Sequence, residues 1–483
     1  MTMKRIYQQQ ELSDNNTSSS SSVSLTISES TPLLIQTNTN NKQRHLTTRK
    51  EFKWLFLNSL PIVGTYLLQN SFQLTSIFTL GHLGPVELGA AALASMFVNV
   101  SAWSVAYGIT TALDTLCNKT MIGIYLQRAY LILSLVYIPI ACVWWRAASI
   151  MLYFQQDPQL AHYAGLFLRY LLPGAPAYMA FEATKRYLQA QGIMHASTFA
   201  MMIAAPLNFI LNIWFVSLWG FLGAPLATSF SYWLMFIFLL IYIQYVQGSE
   251  GWGGWTRACL SGWLPFLKLA LHGIIIICAE WTAFEISSLA ASYLGSIDLA
   301  AQSVLLTISS TTYAVSMGIS VATTNRVGNQ LGAQRGDNAS RSSFTALIVA
   351  ALSGIIHSIF YLGSRRWLGR LFSSNTDVVD KVAAVLPLVA FFQVADGIAS
   401  VGGGIIRGLG RTHVAAWINL VAYYGVALPF GFLATFKWGW QLIGLWIGLS
   451  IALFLVALSE IVYLYSVDWK IEVKRAQERC KQG

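Results

Sequence analysis

Charge is scarce in this chain. Of its 483 residues only 10% are Asp, Glu, Lys or Arg, against about 25% in an ordinary soluble domain. That is too little to clothe a soluble globule of this size. With 55% apolar residues, soluble, coiled-coil and disordered classes are excluded for most of the chain. Cysteine is sparse as well. The five, at 117, 142, 259, 278 and 480, form no CxxC and no paired spacing, so neither a disulfide framework nor a metal site is read from them. The seven His, at 45, 82, 162, 195, 272, 357 and 413, lie apart and pair with no acid at metal-ligand spacing. A membrane enzyme is therefore not expected. No apolar segment follows Met1, so no signal peptide is expected. The net charge of +10 sits in loops and tails and does not point to nucleic acid.

What the chain does have is a series of long apolar runs. A helix rising 1.5 Å per residue needs about 20 residues to cross the hydrocarbon. Spans are expected near 54–80, 87–116, 122–145, 159–187, 195–217, 221–245, 264–294, 299–325, 342–364, 383–407, 413–435 and 441–466. The expected fold is an all-α membrane protein of twelve transmembrane helices. With the N-terminus inside, 23 of the 30 Lys and Arg lie on the inner side, which places both termini in the cytosol. The expected organisation is a disordered cytosolic tail at 1–50, a six-helix lobe at 51–250, a cytosolic linker at 251–263, a second lobe at 264–470 and a tail at 471–483. Within the first tail, Glu29-Ser30-Thr31-Pro32-Leu33-Leu34 looks like an acidic dileucine signal for a sorting adaptor. The membrane would be vacuolar or plasma membrane.

An internal duplication sets the symmetry. A shift of 211 residues lays His82-Leu83-Gly84-Pro85-Val86-Glu87-Leu88 over Tyr293-Leu294-Gly295-Ser296-Ile297-Asp298-Leu299, and Gln69 over Glu280. A shift of 214 lays Pro173 over Pro387 and Glu182 over Asp396. Six spans precede the second copy. An even number makes the halves parallel repeats about an axis along the membrane normal, and in transporters that symmetry puts the substrate site between them. A receptor does not readily explain such a repeat.

Six carboxylates fall inside the expected spans: Asp114, Glu182, Glu280, Glu285, Asp396 and Glu460. A charge near the bilayer centre costs at least about 2.5 kcal/mol, so each is a functional candidate. Glu280 and Asp396 sit at matching depth and can face one pocket as proton-coupling groups. Glu285 lies about 140° around an ideal helix from Glu280. Glu182 is three residues from Lys185 and four from Arg186, the spacing of a structural ion pair. Asp114 reads as a gate or anchor, and Glu460 as a group that reaches the interface. Arg169, the one base expected deep in a span, reads as the partner of a nearby carboxylate. Six acids against one base give the interior a negative field that favours cations. Trp281, Phe284, Tyr313, Tyr423 and Tyr424 offer aromatic faces to them. Gly402-Gly403-Gly404 reads as a deformable or closely packed helix segment.

Several stretches together resemble the multidrug and toxic compound extrusion (MATE) family, in its eukaryotic and fungal branch. They are Ala112-Leu113-Asp114-Thr115-Leu116-Cys117, Gly123-Ile124-Tyr125-Leu126-Gln127-Arg128, Arg186 through Gly192, Glu280-Trp281-Thr282-Ala283-Phe284-Glu285, Leu299 through Val304, Arg326-Val327-Gly328-Asn329 and Asp396 through Gly410. The resemblance runs over about residues 51–467. It implies a secondary antiporter that exports organic cations or other xenobiotics by alternating access between two lobes. Its fuel would be a proton gradient rather than sodium, and no cofactor is implied. The coupling and cation-binding acids of that family fall on Glu280, Glu285 and Asp396. Gln69, Asn70, Asp114, Glu182 and Tyr313 are the expected supporting residues. The expected partners are small organic cations and the lipid bilayer, with the protein acting as a monomer. One departure stands out. Cys117 is followed directly by Asn118-Lys119-Thr120-Met121, where the family has a longer Gly-Gln-Ala-containing turn. The alternative reading, a flippase for a lipid-linked precursor, requires a basic central cavity.

Overall fold

The computed structural model describes residues 48–115, 121–373 and 375–482, and everything below concerns these residues. The dileucine segment at Glu29, Leu33 and Leu34 and the shortened turn after Cys117 lie outside them. Twelve helical passes follow one another. They are α1 (Thr48–Gly81), α2 (Pro85–Val98, continued by Asn99–Trp103 and Ser104–Thr110), α3 (Ile122–Trp145) and α4 (Pro158–Leu171, then Ala175–Ala190). Then come α5 (Ala196–Trp219), α6 (Gly223–Tyr245), α7 (Trp263–Ser292) and α8 (Ser296–Gly332). The last four are α9 (Gly336–Phe372), α10 (Thr376–Gly408), α11 (Thr412–Lys437) and α12 (Gln441–Tyr465). A polar helix, α13 (Trp469–Gln482), closes the described chain. Nine of the described helical stretches are long and apolar enough to cross a membrane, and one of these, Ala196–Tyr245, contains both α5 and α6. The passes α1 and α4 carry more polar residues.

The helices outrun the apolar windows where the chain leaves the hydrocarbon. The helices α8, α9 and α10 each extend several residues beyond the expected 299–325, 342–364 and 383–407. Helical hydrogen bonds persist past the apolar stretch, so hydropathy alone underestimates these lengths. Proline shapes the interior without ending helices. Pro61, Pro206 and Pro387 sit inside continuous helices. Pro173 falls in a short, tightly wound turn, Leu172–Gly174, that divides α4. In α11, π-helical turns at Val421–Ala427 and Leu433–Lys437 flank the segment that holds Pro429, and they absorb the hydrogen bond proline cannot donate.

The first and last six helices meet along two close crossings. At Gly108 of α2 a Cβ would stand 2.5 Å from the Ile274 backbone of α7, so only glycine permits that approach. Near the chain ends, Arg326 of α8 grips Glu51 of α1 through Nε and Nη2, at 2.7 and 2.9 Å. Ser342 of α9 donates to the same carboxylate at 2.6 Å, and the Arg326 guanidinium lies 4.4 Å from the Trp54 ring. The linker after α6 is fastened to the first half. Gln127 donates to the Gly254 carbonyl at 2.7 Å, and Tyr187 donates to that of Gly248 at 2.8 Å.

Candidate transport site

In the first half, α1, α2 and α4 bring together four charged side chains in two pairs. Lys185 Nζ lies 2.7 Å from Glu182 and is fully buried. Gln69 of α1 completes this group: its Nε2 donates to Glu182 Oε1 at 2.7 Å, and its Oε1 accepts from Lys185 at 3.3 Å. The second pair is Arg186 Nη1 with Asp114 Oδ2, at 2.8 Å; Asp114 lies on Ala112–Thr115, the short helical turn that follows α2. Two tyrosines join them. The Tyr66 and Tyr107 hydroxyls are 2.6 Å apart. Lys185 sits 4.6 Å from the Tyr66 ring centroid and Arg186 4.7 Å from that of Tyr107. Every acid here has a base.

The second half is built differently. Asp396 on α10 is buried, and its carboxyl accepts from Gln393, one turn earlier, at 3.3 Å. Glu280 on α7 is close enough for the two charges to feel one another. The titratable and charged side chains around this pair include Tyr313 of α8, Tyr361 of α9, Tyr423 of α11, Glu460 of α12 and Arg407 near the end of α10. Neither Glu280 nor Asp396 makes an ion pair among the described residues. Two carboxylates held together without bases attract cations, protons included.

The remaining sequence candidates divide. Asp114, Glu182 and Gln69 belong to the neutral cluster of the first half, as anchors. Asn70 is half-buried outside it. Tyr313 faces the acid pair. Glu285 does not: its side chain lies instead near Asn99, at the start of the π-helical turn of α2. Three expectations need correction. Arg169 is exposed and has no carboxylate partner; its Nε donates to the Trp145 carbonyl at 3.1 Å and its guanidinium caps that ring. Glu460 does not reach the interface but is 1% exposed, because neighbouring helices continue beyond it. The count of one embedded base also fails. Lys185, Arg186 and Arg407, at the inner ends of the expected spans 159–187 and 383–407, are all buried, because packing against other helices rather than depth along a span decides burial. The negative field is thus confined to the second half. Tyr423 is fully buried and offers no open face, and Phe284 packs edge-on against Phe392. The tyrosine pair and the partnership of Arg186 with Asp114 had no signal in the sequence, because they join residues 41 and 72 positions apart.

The MatE family model matches this chain twice, over residues 61–214 and 274–433. The protein belongs to the MATE family. It is a multi-pass membrane transporter and not an enzyme. An uncharacterized transporter of Schizosaccharomyces pombe is 38% identical over 445 residues, covering 90% of this chain and 83% of the relative. Multidrug and toxin extrusion protein 2 of Oryctolagus cuniculus is 33% identical over 448 residues, covering 89% and 73%. The eukaryotic MATE transporter AtDTX14 superposes with a TM-score of 0.86 at 28% identity, covering 90% of this chain and 99% of that one. The two family matches fall one in each half, as expected for two parallel six-helix repeats. Within that shared MATE scaffold, the paired charges of the first half and the unpaired acids of the second are features of this chain's own side chains.

Proposed function

We propose that this MATE transporter is a proton-coupled antiporter that exports organic cations and other toxic compounds from the cytosol. The observation that carries the reading is the Glu280–Asp396 pair: two interacting carboxyls inside the second half with no base paired to either. Either a proton or an organic cation neutralises the pair, so one displaces the other. Rocking of the lobes, at 51–250 and 264–470, would then expose the pair to each side in turn. The excess of Lys and Arg around the chain ends supports cytosolic termini. The name multidrug and toxin extrusion protein, borne by several relatives, agrees with the substrate class. The flippase alternative finds no support in a second half whose central acids outnumber its base.

The test uses the full chain in liposomes with an imposed pH gradient and tetraphenylphosphonium as probe. Accumulation should follow the pH gradient, vanish with a protonophore and ignore a sodium gradient of equal size. Accumulation driven by sodium, or none driven by pH, would overturn the reading.

A further inference from the structure

Glu460, on α12, plays no part in the pair just described, yet it is as deeply buried as any acid in the protein. Its niche is made by glycine. A Cβ at Gly402 of α10 would collide with Glu460 Oε2. A Cβ at Gly403 would stand 3.2 Å from Glu460 Oε1 and 3.4 Å from Arg407 Nη1. Gly402 and Gly403 therefore make room for a carboxyl, while Gly404 lies against the Ser320 backbone of α8, as close helix packing requires. Neither oxygen of Glu460 meets a side-chain donor. The charged and titratable groups facing it are Arg407 of α10, Glu280 of α7 and Tyr423 of α11. Arg407 is itself held by a bond from Nη2 to Ser320 Oγ of α8, at 3.0 Å. No equivalent exists in the first half: α6 contains no Asp or Glu, and the shift of 214 lays Leu188 and Gln189 over Gly402 and Gly403.

Position along α10 gives the arrangement a direction. Asp396, the Gly402–Gly403 niche and Arg407 follow one another down the helix, about 16 Å from first to last at 1.5 Å per residue. Glu460 is thus placed between the acid pair and the end of the bundle that carries both described chain ends.

We propose that Glu460 is a third proton-carrying acid, a way station through which Glu280 discharges toward the cytosol. This rests on the antiport reading above. The O–H bond of the Glu280 carboxyl breaks and one forms on Glu460. Glu280 becomes charged as Glu460 becomes neutral, and the net charge of the interior is unchanged. The proton then leaves Glu460 to water on the cytosolic side. Substrate never needs to touch this residue.

The experiment separates driven transport from exchange, using tetraphenylphosphonium and the full chain in liposomes. Glu460→Gln should lower pH-gradient-driven uptake at least tenfold. It should leave tetraphenylphosphonium exchange at equal pH within twofold of the unsubstituted protein, because exchange needs no net proton release. Glu460→Asp should recover most of the driven uptake. Gly402→Ala, which keeps the acid but expels it from its niche, should show the same split as Glu460→Gln, and it decides the matter should that variant fail to fold. Driven uptake unaffected by loss of Glu460, or driven uptake and exchange falling together, would overturn the inference and leave antiport standing. Failure of the unsubstituted protein to couple uptake to pH would instead remove the antiport reading itself.

Discussion

At the shift of 214 residues, Glu182 of α4 lies over Asp396 of α10, and Lys185 lies over Ala399; at the shift of 211, Gln69 lies over Glu280. The same three places thus hold Gln, Glu and Lys in one half and Glu, Asp and Ala in the other. In the first half the amide and the ammonium satisfy the carboxylate at 2.7 Å each. In the second half the amide has become an acid and the base a methyl group. The two copies of one design thus differ in charge balance. A buried ion pair costs heavily to break, whereas acids kept without a base draw a counterion from outside.

That contrast can be broken from either side. The largest effect is expected from Arg186→Met, which leaves Asp114 buried and alone. It should destabilise the protein by about 3–5 kcal/mol, read as thermal unfolding in detergent. Adding Asp114→Asn should restore much of the loss; no restoration would mean the pair is not what holds the turn after α2 to α4. Next, Glu280→Gln makes the second half resemble the first at that place. Driven tetraphenylphosphonium uptake should fall about a hundredfold, equivalent to ~2.7 kcal/mol, with thermal stability unchanged or raised. A smaller loss, tenfold or less, is expected for Glu285→Gln, since that residue lies near Asn99 rather than the acid pair. The smallest is Arg169→Gln. Both uptake and stability should stay within error of the unsubstituted protein, because the residue is exposed and bonds only to a carbonyl. A large loss there would show that the outer end of α4 takes part in transport.

Much of the site could be read from residue order. Glu182 and Lys185 are one helical turn apart, so their pairing was visible as spacing. Glu280 and Asp396 stood out because carboxylates are expensive in apolar runs. The fate of Glu285 was not legible: residues on one helix can face different halves, and its neighbour, Asn99, is nearly two hundred positions away. Nor was that of Glu460, since distance from a helix end says nothing of how far the neighbouring helices extend. The glycines of α10 carry two meanings. Gly402 and Gly403 leave room for the Glu460 carboxyl, whereas Gly404 and Gly408 let α10 approach α8, as close helix packing requires.

The order of residues alone settled that the chain lives in a membrane, crosses it twelve times and repeats itself, because burial in hydrocarbon imposes lengths, scarcity of charge and the run of apolar residues locally. Apart from Glu182, whose base lies one turn away on the same helix, which acids are neutralised was decided only by tertiary structure. A side chain's charge environment depends on atoms brought within a few ångströms from other helices: Arg186 of α4 for Asp114, Arg326 of α8 for Glu51 and Lys381 of α10 for Asp298, all remote in the chain.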